Sequence, residues 1–203
     1  MTGPEKRTHR RQQRRREDIV KAAIAEIEEV GTAEFTMASV ADRADVTKPS
    51  LYYYFANKDD VLRAVTTTVL TRYARGAIEA LQEKTGADAA EAFVRYNIAT
   101  YRERLELFRA VYLWPQVRKF ADAEMLGEIN AAMREAFDVF EAALAPTAPP
   151  QVVPRRIAFT VWTAVFGLLS SLSLFEGAGV GSRHAADDLI EETCRMVRVA
   201  ATR

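Results

Sequence analysis

The chain has few of the residues from which catalytic and metal centres are usually built. It carries one cysteine and two histidines in 203 residues. A single cysteine, Cys194, excludes an internal disulfide, and its place in a late amphipathic segment predicts a packed thiol. His9 lies in a basic N-terminal stretch and His184 at a loop, outside any HxxxH or CxxC pattern, so no metal site is expected. No serine, histidine and aspartate stand in a context suited to nucleophilic catalysis. The glycines of GAGVG (177–181) follow an apolar helical segment rather than a strand, which removes the dinucleotide fingerprint. No cofactor is expected. The start of the chain lacks the apolar core of a signal peptide, and a cytoplasmic setting is the expectation. Strand-type alternation and internal repeats are missing too, so the expected fold is all-α, with about nine helices.

Net charge is also lacking: 28 basic residues balance 28 acidic ones. The distribution is more telling than the sum. Residues 1–16 hold Lys6, Arg7, Arg10, Arg11, Arg14, Arg15 and Arg16 against Glu5. Residues 1–75 carry 14 basic and 11 acidic side chains, and the remainder carries 14 and 17. Such asymmetry is the footprint of a polyanion-binding end. The basic start reads either as a solvated tail or as an arm that reaches phosphates or a minor groove.

Residues 36–60 read as two short helices joined by a tight turn, followed by the start of a third. Thr36 can cap the first, about 37–44, where Met37, Val40, Ala41 and Ala44 share one face while Asp42 and Arg43 point to water. Asp45 falls at the stop position and tolerates the left-handed conformation. Thr47 caps the second helix, and Pro49 sits in its first turn, where a missing N–H costs nothing. Leu51 and Phe55 anchor it. Lys48, Ser50, Tyr52, Tyr53 and Tyr54 then face outward. Three outward tyrosines bury little, but phenol hydroxyls suit phosphate oxygens and the rings suit sugar and base edges. Asn57 caps the following helix, with Asp59 and Asp60 in its first turn. A buried helical hairpin shows the same apolar spacing, so spacing alone leaves both readings open.

This segment resembles the N-terminal domain of the tetracycline-repressor (TetR) family of bacterial regulators, from about Arg16 to Val65. The resemblance rests on the turn Ala44-Asp45-Val46-Thr47, on Leu51-Tyr52-Tyr53-Tyr54-Phe55 and on Asn57-Lys58-Asp59. It implies that Thr47, Tyr53 and Lys58 hold phosphates and that Lys48, Pro49, Ser50 and Tyr54 face the major groove. With Thr36 and Tyr52, these make up the candidate DNA surface. The pattern departs from the family's at two places. Asp45 stands for the usual turn glycine, and Tyr54 stands for a frequent histidine, which leaves base preference there open.

The rest of the chain reads as amphipathic helix. A first helix is expected over about 16–30, with Ile19, Ala23, Ile27 and Val30 on one face and Gly31 as its stop. A long helix follows over about 58–84, ended by Gly86. Further helices are expected over about 87–104, 106–113, 122–144, 155–175 and 184–202. Trp114-Pro115 breaks the chain after the short one, and a proline-rich connector spans 146–154. In the stretch 122–144, Leu126, Ile129, Met133, Phe137, Phe140 and Leu144 form an apolar stripe. Residues 157–175 carry no charge and are long enough to span a membrane, or equally to centre a soluble core. The hydroxyls within it and its amphipathic neighbours favour the core. The resemblance implies a homodimer packed through these last two helices, with no membrane partner. The expected domains are 1–57, holding the basic arm and a helix-turn-helix at about 37–55, and 58–203, for ligand binding and dimerisation.

Asn97, Tyr101, Arg104, Tyr112, Gln116, Trp162 and Thr163 are polar groups set in apolar helices. Such groups make either ordinary core hydrogen bonds or the convergent contacts of a small-molecule site. The resemblance implies an effector site between the long fourth helix and the penultimate one. Its wall would add Phe93, Phe108, Trp114, Phe137, Phe140 and Phe166, suiting a largely apolar or aromatic ligand, with Arg104 or Arg109 available to an anionic end. The expected function is therefore a ligand-responsive DNA-binding repressor, released by its effector from a pseudo-palindromic double-stranded operator. A helical enzyme using the same cavity and a constitutive architectural DNA binder are the alternatives.

Overall fold

The computed structural model describes residues 3–104, 122–178 and 183–202. Among them the chain is helical, without strands: α1 (Gly3–Glu34), α2 (Met37–Arg43), α3 (Lys48–Tyr54), α4 (Lys58–Ala80), α5 (Gly86–Glu103), α6 (Ala123–Leu144), a 3₁₀ turn (Ala145–Thr147), α7 (Pro154–Ala178) and α8 (Arg183–Ala200). The expected helix at 106–113, the break at Trp114-Pro115, and Phe108, Arg109, Tyr112 and Gln116 lie outside the described residues. The same is true of most of the 177–182 loop and of the His184 side chain. The residues group into two compact units. Among the described residues, one holds 3–69, 104 and 122–126, and the other holds 70–103, 127–178 and 183–202, so the division falls within α4.

In the first unit, α1 starts at Gly3, ahead of the first basic residue, Lys6, and far upstream of the expected residue 16. Apolar periodicity begins only at Ile19, but Lys, Arg and Gln have high helix propensity. Ile19, Val20, Ala23, Ile24 and Ile27 are buried, whereas Val30 is exposed. Gly31, at φ 82°, breaks the helix before a final turn. Phe35, Val40, Ala41, Leu51, Phe55, Val61, Leu62 and Val65 complete this core.

In the second unit, α5 packs against α7 and α8, and α7 packs against α8. The reason lies in spacing. Ala89, Ala90, Phe93, Val94, Asn97, Ile98 and Tyr101 give α5 a two-residue-wide buried stripe. Ile190, Cys194, Val197 and Ala201 form a matching one at the chain's end. Phe93 stacks on Phe140 with ring centres 4.4 Å apart. The fringe is charged. Arg95 bridges Glu91 and Glu191, and Arg198 bridges Asp88 and Glu91, at 2.7–3.1 Å. Such exposed pairs fix register more than they add stability.

Three expectations are corrected here. The fourth helix stops at Ala80 rather than 84, and the left-handed residue that turns the chain is Glu83, at φ 59°. Gly86 does not end that helix; it opens α5, at φ 54°, with the Thr147 side chain where a Cβ would lie. Leu126, placed on the buried stripe, is exposed, whereas Ala136 is buried. Helix α7 is long and apolar enough to cross a membrane by length and composition. It is nevertheless one-sided, burying Ile157, Ala158, Val161, Val165, Leu168, Leu169 and Leu172.

Phe140 is fully buried. Phe140→Ala should destabilise the protein by about 3–5 kcal/mol through lost transfer energy and a cavity. Urea unfolding followed by circular dichroism would read this, and a loss below about 1 kcal/mol would contradict the packing described.

Candidate nucleic-acid interface

Helices α2 and α3 have seven residues each. At that length neither is stable by propensity, so the ends must be satisfied and the inner face anchored. Both conditions are met. The Thr36 hydroxyl oxygen accepts the Ser39 N–H at 3.0 Å, and the Ser39 hydroxyl oxygen accepts the Thr36 N–H at 3.0 Å. This reciprocal pair satisfies two first-turn donors. At the other end, Val46 N–H donates to the Ala41 carbonyl at 3.0 Å and Asp45 N–H to the Asp42 carbonyl at 3.2 Å. This is the double closure of a Schellman turn, and it places Asp45 at φ 50°. The family's glycine is thus replaced by a residue that tolerates the left-handed well. Arg15 secures the same turn by donating to the Asp45 carbonyl at 2.8 Å.

The second helix follows the same logic. Thr47 Oγ1 accepts the Ser50 N–H at 3.3 Å, and Pro49 lies in the first turn. Leu51 and Phe55 are buried beneath it. Asn57 Oδ1 accepts the Asp60 N–H at 2.9 Å, while Asp60 Oδ2 accepts the Ala56 N–H at 2.9 Å, so α4 starts at a fixed angle.

The outer surface of this unit is polar and aromatic. Thr36, Thr47, Lys48 and Pro49 are exposed, and Ser50 and Tyr54 are half-buried. Tyr52 and Tyr53 are 52% and 71% exposed, which leaves much of their ring surface uncovered. Tyr53 meets Tyr54 edge to face at 5.1 Å, and its hydroxyl accepts the Gln12 amide at 3.1 Å. Lys58 lies differently from a free surface lysine. Its ammonium donates to the Ala33 carbonyl at 3.2 Å and rests 4.2 Å over the Phe35 ring. Two of its three donors remain for another acceptor.

Arg43 is exposed, as expected, but it is also tied to α1. It does not simply point to water: its Nε donates to Glu26 at 2.7 Å and its Nη2 pairs with Glu29. Glu26 is buried, and its pairing with Arg43 is not visible in the sequence because the two lie 17 residues apart. Arg16, expected to open the first helix, lies over the Phe55 ring at 4.8 Å.

This capped, arginine-buttressed pair of helices coincides with a matching family model. The model described as "Bacterial regulatory proteins, tetR family" covers residues 19–65, from the first buried residue of α1 to the buried Val65 of α4. Residues 19–65 thus carry the N-terminal domain of the tetR family. Among its TetR-type relatives, the regulator BetI 2 of Chromohalobacter salexigens is 40% identical over 57 residues, which are 28% of each protein. The chain thus spans little more than a quarter of that relative's length. The repressor KstR of Mycobacterium tuberculosis is 28% identical over 156 residues, or 74% of this chain and 69% of KstR. The fold extends further than sequence identity. The FadR regulator of Bacillus subtilis, solved with stearoyl-CoA, superposes with a TM-score of 0.64 at 14% identity, covering 90% of this chain and 97% of that one.

The expected effector residues separate into groups. Phe93, Asn97, Tyr101 and Phe140 are buried together in the second unit. Asn97 is already satisfied: Tyr73 Oη donates to its Oδ1 at 2.7 Å, and its Nδ2 donates to the Phe93 carbonyl at 2.8 Å. Phe137 packs on Phe159 at 4.5 Å beneath Arg155, whose guanidinium lies 5.3 Å from the Phe137 ring. Trp162 and Phe166 stack at 5.8 Å on the outer side of α7, where Phe166 is exposed. Arg104 belongs to the first unit and donates to Glu28 at 2.8 Å. Phe108, Tyr112 and Trp114 are outside the described residues.

Hydrogen bonds from Arg43 and Ser39 hold the Glu26 carboxyl below its usual range despite burial. A lowered folded-state value stabilises the fold above the unfolded-state value, and that stability is lost as pH falls through the folded-state one. Glu26→Gln should therefore lower stability at neutral pH, with the gap to the parent narrowing under acid. Urea midpoints at pH 7 and pH 3 would measure it; a gap that does not change with pH would refute the ionic role.

Proposed function

We propose that the protein is a homodimeric transcriptional repressor that binds a pseudo-palindromic DNA operator and leaves it when a small, largely apolar effector binds its second unit. The observation that carries this reading is the outward row of α3: Lys48, Ser50, Tyr53 and Tyr54 on a seven-residue helix fixed at both ends. Phosphates would be held by Thr47, Tyr53 and the free donors of Lys58, and base edges would meet Lys48, Pro49, Ser50 and Tyr54. Thr36 and Tyr52 flank this surface. The names of the relatives, transcriptional regulators in each case, support a regulator over an enzyme and a cytoplasmic place of action.

Dimerisation is supported by the outer faces of the last two helices. Phe159, Phe166 and Leu174 lie on one side of α7, with Leu174 69% exposed. Leu189, Met196 and Val199 lie exposed on α8. Two apolar faces of this kind suit a self-complementary two-fold contact. Two-fold symmetry would set two α3 helices about 34–36 Å apart, one turn of DNA.

The effector reading rests on the aromatic interior around Phe93, Tyr101 and Phe140, and FadR's capture of stearoyl-CoA makes a long apolar ligand a reasonable first trial. Helix α4 is shared by both units and is the covalent route by which occupancy would alter operator affinity. A coupling of about 1–3 kcal/mol suffices.

Selection from a randomised duplex pool should enrich a palindrome with half-sites one helical turn apart. The double variant Phe159→Asp, Leu174→Asp should be monomeric by light scattering and lose at least about tenfold in operator affinity. Enrichment of an asymmetric or unstructured motif, or a fully dimeric variant, would contradict the proposal.

A further inference from the structure

The first four turns of α1 have no apolar residue: residues 3–18 read GPEKRTHRRQQRRRED. A helix in water is normally stabilised by an apolar face, and this segment has none. Its charges oppose it as well. Arg7 and Arg11, Arg10 and Arg14, and Arg11 and Arg15 are like-charged pairs at i, i+4, and cations crowd the end where the helix dipole is positive. Among the described residues, Lys6, Arg7, Arg10, Arg11 and Arg14 are exposed, and no carboxylate pairs with them.

The arrangement is nevertheless one-sided. At about 100° per residue, Lys6, Arg7, Arg10, Arg11, Arg14 and Arg15 fall within about half of the helix circumference. The buried stripe of Ile19, Ala23 and Ile27 projects on the opposite half. Gln12 lies on that inner side, and it is the residue that donates to Tyr53. Arg15, at the edge of the cationic face, donates to the Asp45 carbonyl, and Arg16 covers Phe55. Contacts made by Gln12, Arg15 and Arg16 therefore seat the extension beside α3, and Lys6, Arg7, Arg10, Arg11 and Arg14 stay exposed.

We infer that the α1 extension is a phosphate-binding rail: a helical, sequence-independent clamp on the DNA backbone beside the half-site contacted by α3. The rail rises about 14 Å between Lys6 and Arg15, which matches about four phosphates of one strand at 3.4 Å each along the axis. Phosphates relieve the repulsion that burdens the free helix, so DNA also stabilises its helical form. The proposal rests on the DNA-binding reading but adds a separate contact, one that needs no operator sequence.

The test uses the full-length chain and a mixed-sequence duplex of 30 base pairs, with affinity measured against salt. Neutralising Arg7, Arg10, Arg11 and Arg14 to Gln should flatten the slope of log K against log salt by roughly 3–4 for each protomer bound, at about 0.9 per phosphate contact. A control with four neutral substitutions in the second unit, at Lys84, Arg134, Arg156 and Arg195, should keep the parental slope. Circular dichroism of the parent should also gain helix on binding, and the quadruple variant should not. An unchanged slope in the quadruple variant, or equal flattening in the control, overturns the rail. Pool selection by the quadruple variant separates the two claims: recovery of the parental motif with a flatter slope supports both. Failure of the parent to enrich any motif, with the slope difference intact, rejects the operator reading and leaves the rail standing.

Discussion

Everything in the N-terminal unit depends on holding two seven-residue helices in place. Neither α2 nor α3 can be stable by itself, because nucleating a helix costs more than seven residues return. The chain meets this constraint with closure at each end rather than with length. Thr36 and Ser39 close the start of α2, the Ala41–Val46 bond closes its end, and Thr47 closes the start of α3. Leu51 and Phe55 supply the anchor, and Arg43 ties α2 to Glu26 on α1. With its inner face and both ends so occupied, α3 has only one surface left to offer, and that surface carries Lys48, Ser50, Tyr53 and Tyr54.

Helix α1 is the common scaffold for these contacts. Its apolar half makes the core, its Glu26 and Glu29 hold Arg43, and its basic extension reaches the turn and Tyr53. The second unit solves a different problem. Its stripes on α5 and α8 are buried against each other, while Phe159, Leu174 and Met196 leave apolar surface on the outside. Exposed apolar faces of this kind suit pairing. The same unit fills its interior with aromatic rings and satisfies Asn97 internally, so an effector would have to displace or extend that packing.

Much of this was legible in the sequence wherever a signal is local. Caps, the Asp45 stop, Pro49 and the Leu51–Phe55 spacing act within a few residues of one another, and the helix-turn-helix emerged from them with its boundaries nearly intact. The start of α1 was missed because apolar periodicity is silent in a segment without apolar residues, although its helix formers were in view. Gly86 was read as a stop because a glycine with positive φ is most common just past a helix's C-terminus, whereas here it opens α5. Arg43–Glu26 and Arg104–Glu28 could not be read, since nothing in spacing pairs charges 17 or 76 residues apart. Trp162 and Phe166 were grouped with Phe93 and Phe140 because composition reports that a ring is present but not which side of α7 it occupies.

The central claim is that the outward face of α3 reads bases, and Tyr54 tests it most directly. Tyr54→Ala should be selected against the same randomised duplex pool as the parent, with salt dependence measured in parallel. The account predicts altered preference at one symmetric pair of positions and an unchanged salt slope, because a base-facing ring carries sequence information and no phosphate charge. An unchanged motif with uniformly weaker binding would contradict it and would place Tyr54 among the groups that merely position the protein on the backbone.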